Sequence, residues 1–406
     1  MKSRIIISVF NQGLLSLFNL LLSIYFIKKM DFESFGHYSL IFAIGMTFIS
    51  FQNSLIVTPM AIRTKKRVLS GLSKYTPFYN SSEFIYLILI IIFSILIVSF
   101  IDLSSKDVSC YLVAYCLRDY LKSLLLIEFK VVFALVSDIV FIILSILFLI
   151  INFYFFLFTP SSALFSLGSA SLLSSILLLV FSDIKFNFIF DFFKLYRFYK
   201  VKVWSISKWA SIGVIVTEIH SRIYIFVLTI FYPTEILGLV QAARVFFGPL
   251  NLLLNGWIRV ARNHFTSMLG VKKYEDFYSF YYLSIFFVIA INFMVLCSMY
   301  FFWAFIENYI FSGTEHDMFL TVFLWGLCVG IIQLRMVVTT ALQAFAIFKI
   351  QTYFNLVAGG VTVFAAFLIV YLLDWKFMPL SIAFGELVLL SISTVYLQKL
   401  KRVNNG

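Results

Sequence analysis

Ten ionisable residues lie inside long apolar stretches of the chain: Arg118, Asp119, Lys122, Asp138, Lys208, Glu218, Arg222, Arg244, Arg335 and Glu386. Six are cations and four are acids. One charge at the centre of a bilayer costs about 2.5–3.5 kcal/mol on insertion scales, so such a set requires an aqueous cavity or mutual pairing. Glu218 and Arg222 stand four apart on one helix face and are expected to pair. Arg118 and Lys122 share that spacing with like charge, and Asp119 points about 100° away from Arg118 on a helix. A cationic cavity suits an anion, and arginine matches phosphate geometry better than lysine does. The candidate anion-binding residues are therefore Arg118, Lys122, Lys208, Arg222, Arg244, Arg259 and Arg335, with Asn251 and Asn255 on the Arg244 stripe and Gln12 and Asn19 as polar lining. Asp119, Asp138 and Glu218 are the candidates for coupling to an ion. His220 reads as an interface histidine. No Ser/His/Asp arrangement, glycine-rich phosphate loop or metal-ligand spacing occurs in the sequence, so no enzyme activity, metal or cofactor is expected.

The elements that must carry these residues follow from composition. Of the 406 residues, 62% are hydrophobic and 12% charged, and the mean hydropathy is +1.01. A soluble domain carries roughly 25% charged residues, so this chain lacks the polar surface of a soluble protein. The +12 net charge is spread between apolar runs rather than over a polar face, which excludes nucleic-acid binding. Cys110, Cys116, Cys297 and Cys328 all sit in apolar stretches, which excludes a disulfide scaffold. A bilayer-crossing helix needs about 20 apolar residues. Twelve runs qualify: 5–27, 37–60, 83–101, 109–129, 131–157, 162–181, 205–230, 236–258, 279–304, 318–343, 350–373 and 378–398. The expected fold is all-α, a polytopic membrane protein of two pseudo-symmetric six-helix bundles around a central cavity. Arg and Lys set its orientation. With both termini cytoplasmic, the inner segments hold 21 basic residues and the outer loops hold 4.

The longest inner segment, 182–204, separates a first bundle over 1–181 from a second over 205–398, with a tail at 399–406. Both halves open alike, with the outer turns Asp31-Phe-Glu33-Ser-Phe-Gly36 and Pro233-Thr-Glu235-Ile-Leu-Gly238, and basic loops follow at 63–74 and 259–273. An even number of spans per half makes this a parallel repeat. The glycines are assigned to tight helix entry, and the glutamates to the positive helix N-terminus. Polar residues recur at helical spacing in the first two helices of each half. They are Gln12, Ser16, Asn19 and Ser23; Thr47, Ser50, Ser54 and Thr58; Lys208, Ser211, Glu218 and Arg222; and Gln241, Arg244, Gly248, Asn251, Asn255 and Arg259. Such stripes face either a polar space or a neighbouring helix.

The opening Asn11-Gln12, Asn19, Phe32-Glu33-Ser34-Phe35-Gly36-His37-Tyr38 and Pro59, with Ser207-Lys208-Trp209 in the second half, resembles the polysaccharide transporters of the multidrug/oligosaccharidyl-lipid/polysaccharide exporter superfamily, and among them bacterial O-antigen flippases. The resemblance spans the whole chain. It implies movement of an undecaprenyl-pyrophosphate-linked oligosaccharide from the cytoplasmic to the periplasmic leaflet of the bacterial inner membrane, by alternating access. Its implied partners are membrane lipids and, in the same pathway, a glycan polymerase and a chain-length regulator. Two other readings stand beside it. A drug or metabolite antiporter of the same fold would need an acidic cavity for organic cations. A membrane glycan polymerase would need a larger outer loop than the longest here, near 305–317.

Overall fold

The computed structural model describes residues 2–65, 72–99, 101, 103–128, 130–155, 157–181, 187–189, 191–271, 273–311, 314, 316–345 and 347–405. Among them the regular structure is entirely helical. In chain order the helices are α1 (Lys2–Lys29), α2 (Phe32–Gln52), α3 (Thr58–Lys65), α4 (Leu72–Val98), α5 (Ser105–Ile127), α6 (Val131–Phe155), α7 (Pro160–Phe181), α8 (Phe192–Phe198), α9 (Trp204–Phe231), α10 (Thr234–Val245), α11 (Gly248–Gly270), α12 (Tyr274–Phe301), α13 (Trp303–Ile310), α14 (Phe319–Ala344), α15 (Phe348–Leu372) and α16 (Pro379–Asn405). Two π-helical turns, Asn53–Val57 and Tyr199–Val203, join α2 to α3 and α8 to α9.

Every expected span coincides with a helix, but not every helix is a plain apolar rod. Ten are long and apolar enough to cross a membrane, and the bent α10–α11 pair makes an eleventh. The remaining expected span, α5, is too charged to qualify, since it carries Lys106, Asp107, Arg118, Asp119 and Lys122. The eighth expected span is not one straight helix. It breaks after Val245 and bends by 54° before α11, because Pro249 has no N–H to continue the ladder and sits in the first turn of a new helix. The polar stripe through Arg244 and Asn251 is therefore two faces rather than one. The third span begins earlier than expected, at Leu72, which buries Asn80, Ser81 and Glu83 within α4. Several of its polar side chains are satisfied: the Ser81 and Ser82 hydroxyls donate to the Pro77 and Phe78 carbonyls at 2.9 and 3.0 Å, and Tyr120 of α5 donates to Asn80 Oδ1 at 2.8 Å.

The chain forms two compact units, Met1–Phe18 with His37–Ile215 and Asn19–Gly36 with Val216–Gly406. In the first unit, α5 and α6 both pack on α7 and α4 packs on α5. Buried Ser171, Ser174 and Ser175 keep α7 thin. A Cβ at Gly168 would stand 2.8 Å from Tyr111 Cα. Small residues at helix crossings are how helices gain van der Waals contact where lipid offers no hydrophobic drive. In the second unit, α16 packs on α14 and α15, while α10, α11 and α12 pack on α14.

The repeated Glu-x-x-Gly turns belong together in the second unit. Glu33 and Glu235 lie in the first turns of α2 and α10, as their charge favours. The glycines have a different role from the one expected. Neither adopts a left-handed backbone; instead they form a crossing. A Cβ on Gly238 would collide with the Phe32 carbonyl oxygen and lie 3.0 Å from the Gly36 nitrogen, and one on Gly36 would collide with the Thr234 carbonyl oxygen. The two copies of the motif are each other's packing partner.

Candidate functional site

The first unit holds its charges around Asp138, which is fully buried. α6 carries this carboxylate toward α5. There Arg118 pairs with one oxygen, and Lys122 Nζ lies 2.6 Å from the other. Asn11 Nδ2 on α1 donates to that second oxygen at 2.5 Å. The like-charged pair is thus bridged by one carboxylate from the neighbouring helix, which both cations share. The Arg118 guanidinium also lies 3.7 Å from the Phe141 ring centroid. Asp119 takes a hydrogen bond from Asn53, in the first π-helical turn. A second polar group lies beside this one. Glu83 accepts from Gln52 Nε2 at 2.5 Å, and the same nitrogen donates to the Cys116 carbonyl at 3.0 Å. Glu83 is 1% exposed, and among the described residues its Oε2 meets no hydrogen-bond partner. Sequence reasoning missed Glu83, because the polar run Asn80-Ser-Ser-Glu83 reads as a loop. Pro77 does not stop α4, and the helical spacing of Tyr79, Glu83 and Tyr86 was the available signal.

The second unit assembles Arg335 of α14, Glu386 of α16, His220 of α9 and Thr362 of α15. Arg335 holds Glu386 through two nitrogens, at 2.6 and 3.2 Å. His220 Nε2 lies 2.9 Å from Glu386 Oε1, and His220 Nδ1 lies 3.0 Å from Thr362 Oγ1. Thr362 has one hydroxyl hydrogen and also lies 3.0 Å from the Ala358 carbonyl. Gly385 leaves the ring its space, since a Cβ there would stand 2.9 Å from His220 Cε1. His220 is a buried interface residue, as expected, and the interface is ionic.

Glu218 and Arg222 form the expected i,i+4 pair at 2.7 Å. Arg244 differs from the other intramembrane arginines. It ends α10, with Nη1 donating to the Tyr224 hydroxyl at 2.7 Å and the guanidinium 5.3 Å from the Trp325 ring centroid. Tyr224 and Trp325 are themselves fully buried, and Trp325 is fixed by donating to the Val240 carbonyl at 3.0 Å. Among the described residues no carboxylate lies within ion-pair distance of Arg244, and it is half-buried. Aromatic walls hold the cation in place without cancelling its charge. Lys208 and Gln12 are exposed on α9 and α1, and Asn19 and Asn251 are half-buried. The side chains of Asn255 and Arg259 lie outside the described residues.

No family model matches the chain, and no curated protein matches it in sequence. Solved structures do match in fold. A multidrug resistance MATE family transporter of the MOP superfamily, inward-facing, superposes with a TM-score of 0.73 at 13% identity over 96% of this chain and 95% of its own. An outward-facing structure of a transporter so described gives 0.65 at 14% over 98% and 94%. A MOP superfamily transporter from Pyrococcus furiosus, described as having a binding pocket of reversed polarity that suggests a different function, gives 0.64 at 14% over 99% and 95%. At these identities the likeness establishes a MATE-like transporter fold.

Proposed function

We propose that the protein is an alternating-access transporter whose substrate is anionic, a polyprenyl-pyrophosphate-linked oligosaccharide moved across a cell membrane. The observation that carries this reading is Arg244. Arg118, Lys122, Arg222 and Arg335 each have a carboxylate at ion-pair distance, which leaves Arg244 as the intramembrane arginine held for something other than a protein acid. A guanidinium fixed by a hydroxyl and an indole face is preorganised for bidentate phosphate contact. Structural neighbours described in inward- and outward-facing states support alternating access as the mode of movement.

A drug antiporter of the same fold is the second reading, favoured by the multidrug neighbours. An organic cation would instead be recognised by an acid such as Glu83 of the first unit.

The test uses purified protein in proteoliposomes. Arg244→Ala should lose binding and transport of a polyprenyl-pyrophosphate saccharide while inserting at normal abundance, and Arg244→Lys should keep part of both. Full activity of Arg244→Ala with the anion, or saturable export of a cationic dye that depends on Glu83, would replace this reading with the antiporter.

A further inference from the structure

In the first unit an open groove of about 230 Å³ lies between the π-helical turn Asn53–Val57, α4 and α8. It exceeds the ~150 Å³ of an apolar cavity that accepts benzene. Its lining includes four hydroxyls. Three are turned onto backbone: Ser82 donates to the Phe78 carbonyl at 3.0 Å, Tyr86 to the Phe48 carbonyl at 2.7 Å and Tyr199 to the Leu55 carbonyl at 3.3 Å. The fourth belongs to Tyr196, on the exposed side of α8. Apart from the Tyr196 hydroxyl, what remains presented is carbon. Both π-helical turns border the groove, and their i→i+5 ladder is a feature concentrated at functional sites. The Leu55 carbonyl, inside the first of them, also accepts from Ser207 at 3.1 Å. The same α4 face continues into exposed Ile85, Leu89 and Ile92, so the groove opens onto the apolar belt of the unit.

α8 roofs the groove and supplies the opposite chemistry. Leu195 and Phe198 turn inward, Phe198 stacking on Phe78 at 4.4 Å. Phe192, Phe193 and Tyr196 are more than half exposed, as in a helix lying at a membrane interface. Arg197 and Lys200 follow these aromatics and are exposed, with Lys200 Nζ 5.6 Å from the Tyr196 ring centroid. Lys194 is answered by Asp191 at 3.1 Å, whereas no carboxylate lies at ion-pair distance from Arg197 or Lys200 among the described residues.

From this pairing of a carbon-lined slot with a basic, aromatic rim, we infer that the groove binds the polyprenyl chain of the phosphorylated carrier lipid, with the carrier's phosphates beside Arg197 and Lys200. The inference rests on the lipid-linked reading of the substrate and adds an entry site, distinct from Arg244 and occupied before the transport step. The groove walls are tyrosine, phenylalanine and branched aliphatic side chains, which suit flat, methyl-branched isoprene units.

A photoreactive benzophenone amino acid in place of Leu89, at the groove, and separately in place of Ile143, exposed on α6, tests this in full-length protein in nanodiscs with radiolabelled undecaprenyl pyrophosphate. Capture at the groove should exceed capture at the α6 site at least tenfold and survive excess phosphatidylglycerol. It should fall at least tenfold in Ile85→Trp, which fills the slot, and severalfold in Arg197→Gln/Lys200→Gln. Equal capture at the two positions, displacement by phosphatidylglycerol, or undiminished capture in Ile85→Trp would overturn the site. Selective capture together with normal transport by Arg244→Ala would keep the groove and reject the substrate reading. Loss of capture with Arg244 dependence intact would reject the groove alone.

Discussion

Gly238→Ala puts the helix crossing of the second unit to the sharpest test. The added methyl would stand 2.8 Å from the Phe32 carbonyl carbon and 3.0 Å from the Gly36 nitrogen. Carbon contacts are optimal at about 3.5–4.0 Å, and the Phe32 carbonyl oxygen lies nearer than its carbon, so α2 and α10 would have to part by more than about 1 Å. Backbone cannot rotate away as a side-chain tip can. Overpacking of this kind costs about 1–3 kcal/mol. Against it stands the gain of about 0.8–1 kcal/mol from replacing glycine by alanine within a helix. Gly360→Ala isolates that gain, since nothing lies within 4 Å of a Cβ there and the residue is exposed on α15. The two variants should therefore differ by about 1–3 kcal/mol, with Gly360→Ala equal to or more stable than wild type and Gly238→Ala less stable than Gly360→Ala. Thermal unfolding in detergent, followed by the monodisperse fraction on size-exclusion chromatography, measures the difference. Gly36→Ala should behave like Gly238→Ala, and the double variant should cost less than the sum, because a helix pair already separated accommodates the second methyl. Equal midpoints for Gly238→Ala and Gly360→Ala would refute the crossing.

Removing one partner of a buried ion pair costs about 3–5 kcal/mol, so Asp138→Asn, which leaves Arg118 and Lys122 facing each other, should sharply lower the unfolding midpoint, and adding Lys122→Met should recover part of the loss. His220→Leu removes the ring contacts to Glu386 and Thr362 and leaves their polar atoms buried without that partner, so it should lower the unfolding midpoint; an unchanged midpoint would separate His220 from the network. The distribution of basic loops predicts that reporter fusions at residues 70 and 403 both read cytoplasmic, and a periplasmic signal at either would reverse the topology.

Local sequence determined the helices. An apolar run of some 20 residues must bond its own backbone in lipid, and the expected spans are helical in the structure, the eighth as two helices broken before Pro249. It also determined what lies within one turn: Glu218 and Arg222 pair because spacing of four places them on one face, and Glu33 and Glu235 sit at helix starts. Tertiary structure decided what lies between helices. Asp138 meets Arg118 and Lys122 because α6 turns back on α5, and no spacing of 16 or 20 along the chain encodes that contact. Glu386 gathers Arg335, His220 and Thr362 from three other helices, so residues that looked like separate charges form one network. The cationic candidates were legible as a set, yet which of them lacks a carboxylate was not, since pairing is a property of the packed helices. The repeated Glu-x-x-Gly was legible as a repeat. That its two copies cross at their glycines follows only from the close approach of two backbones, which a missing Cβ permits but does not announce.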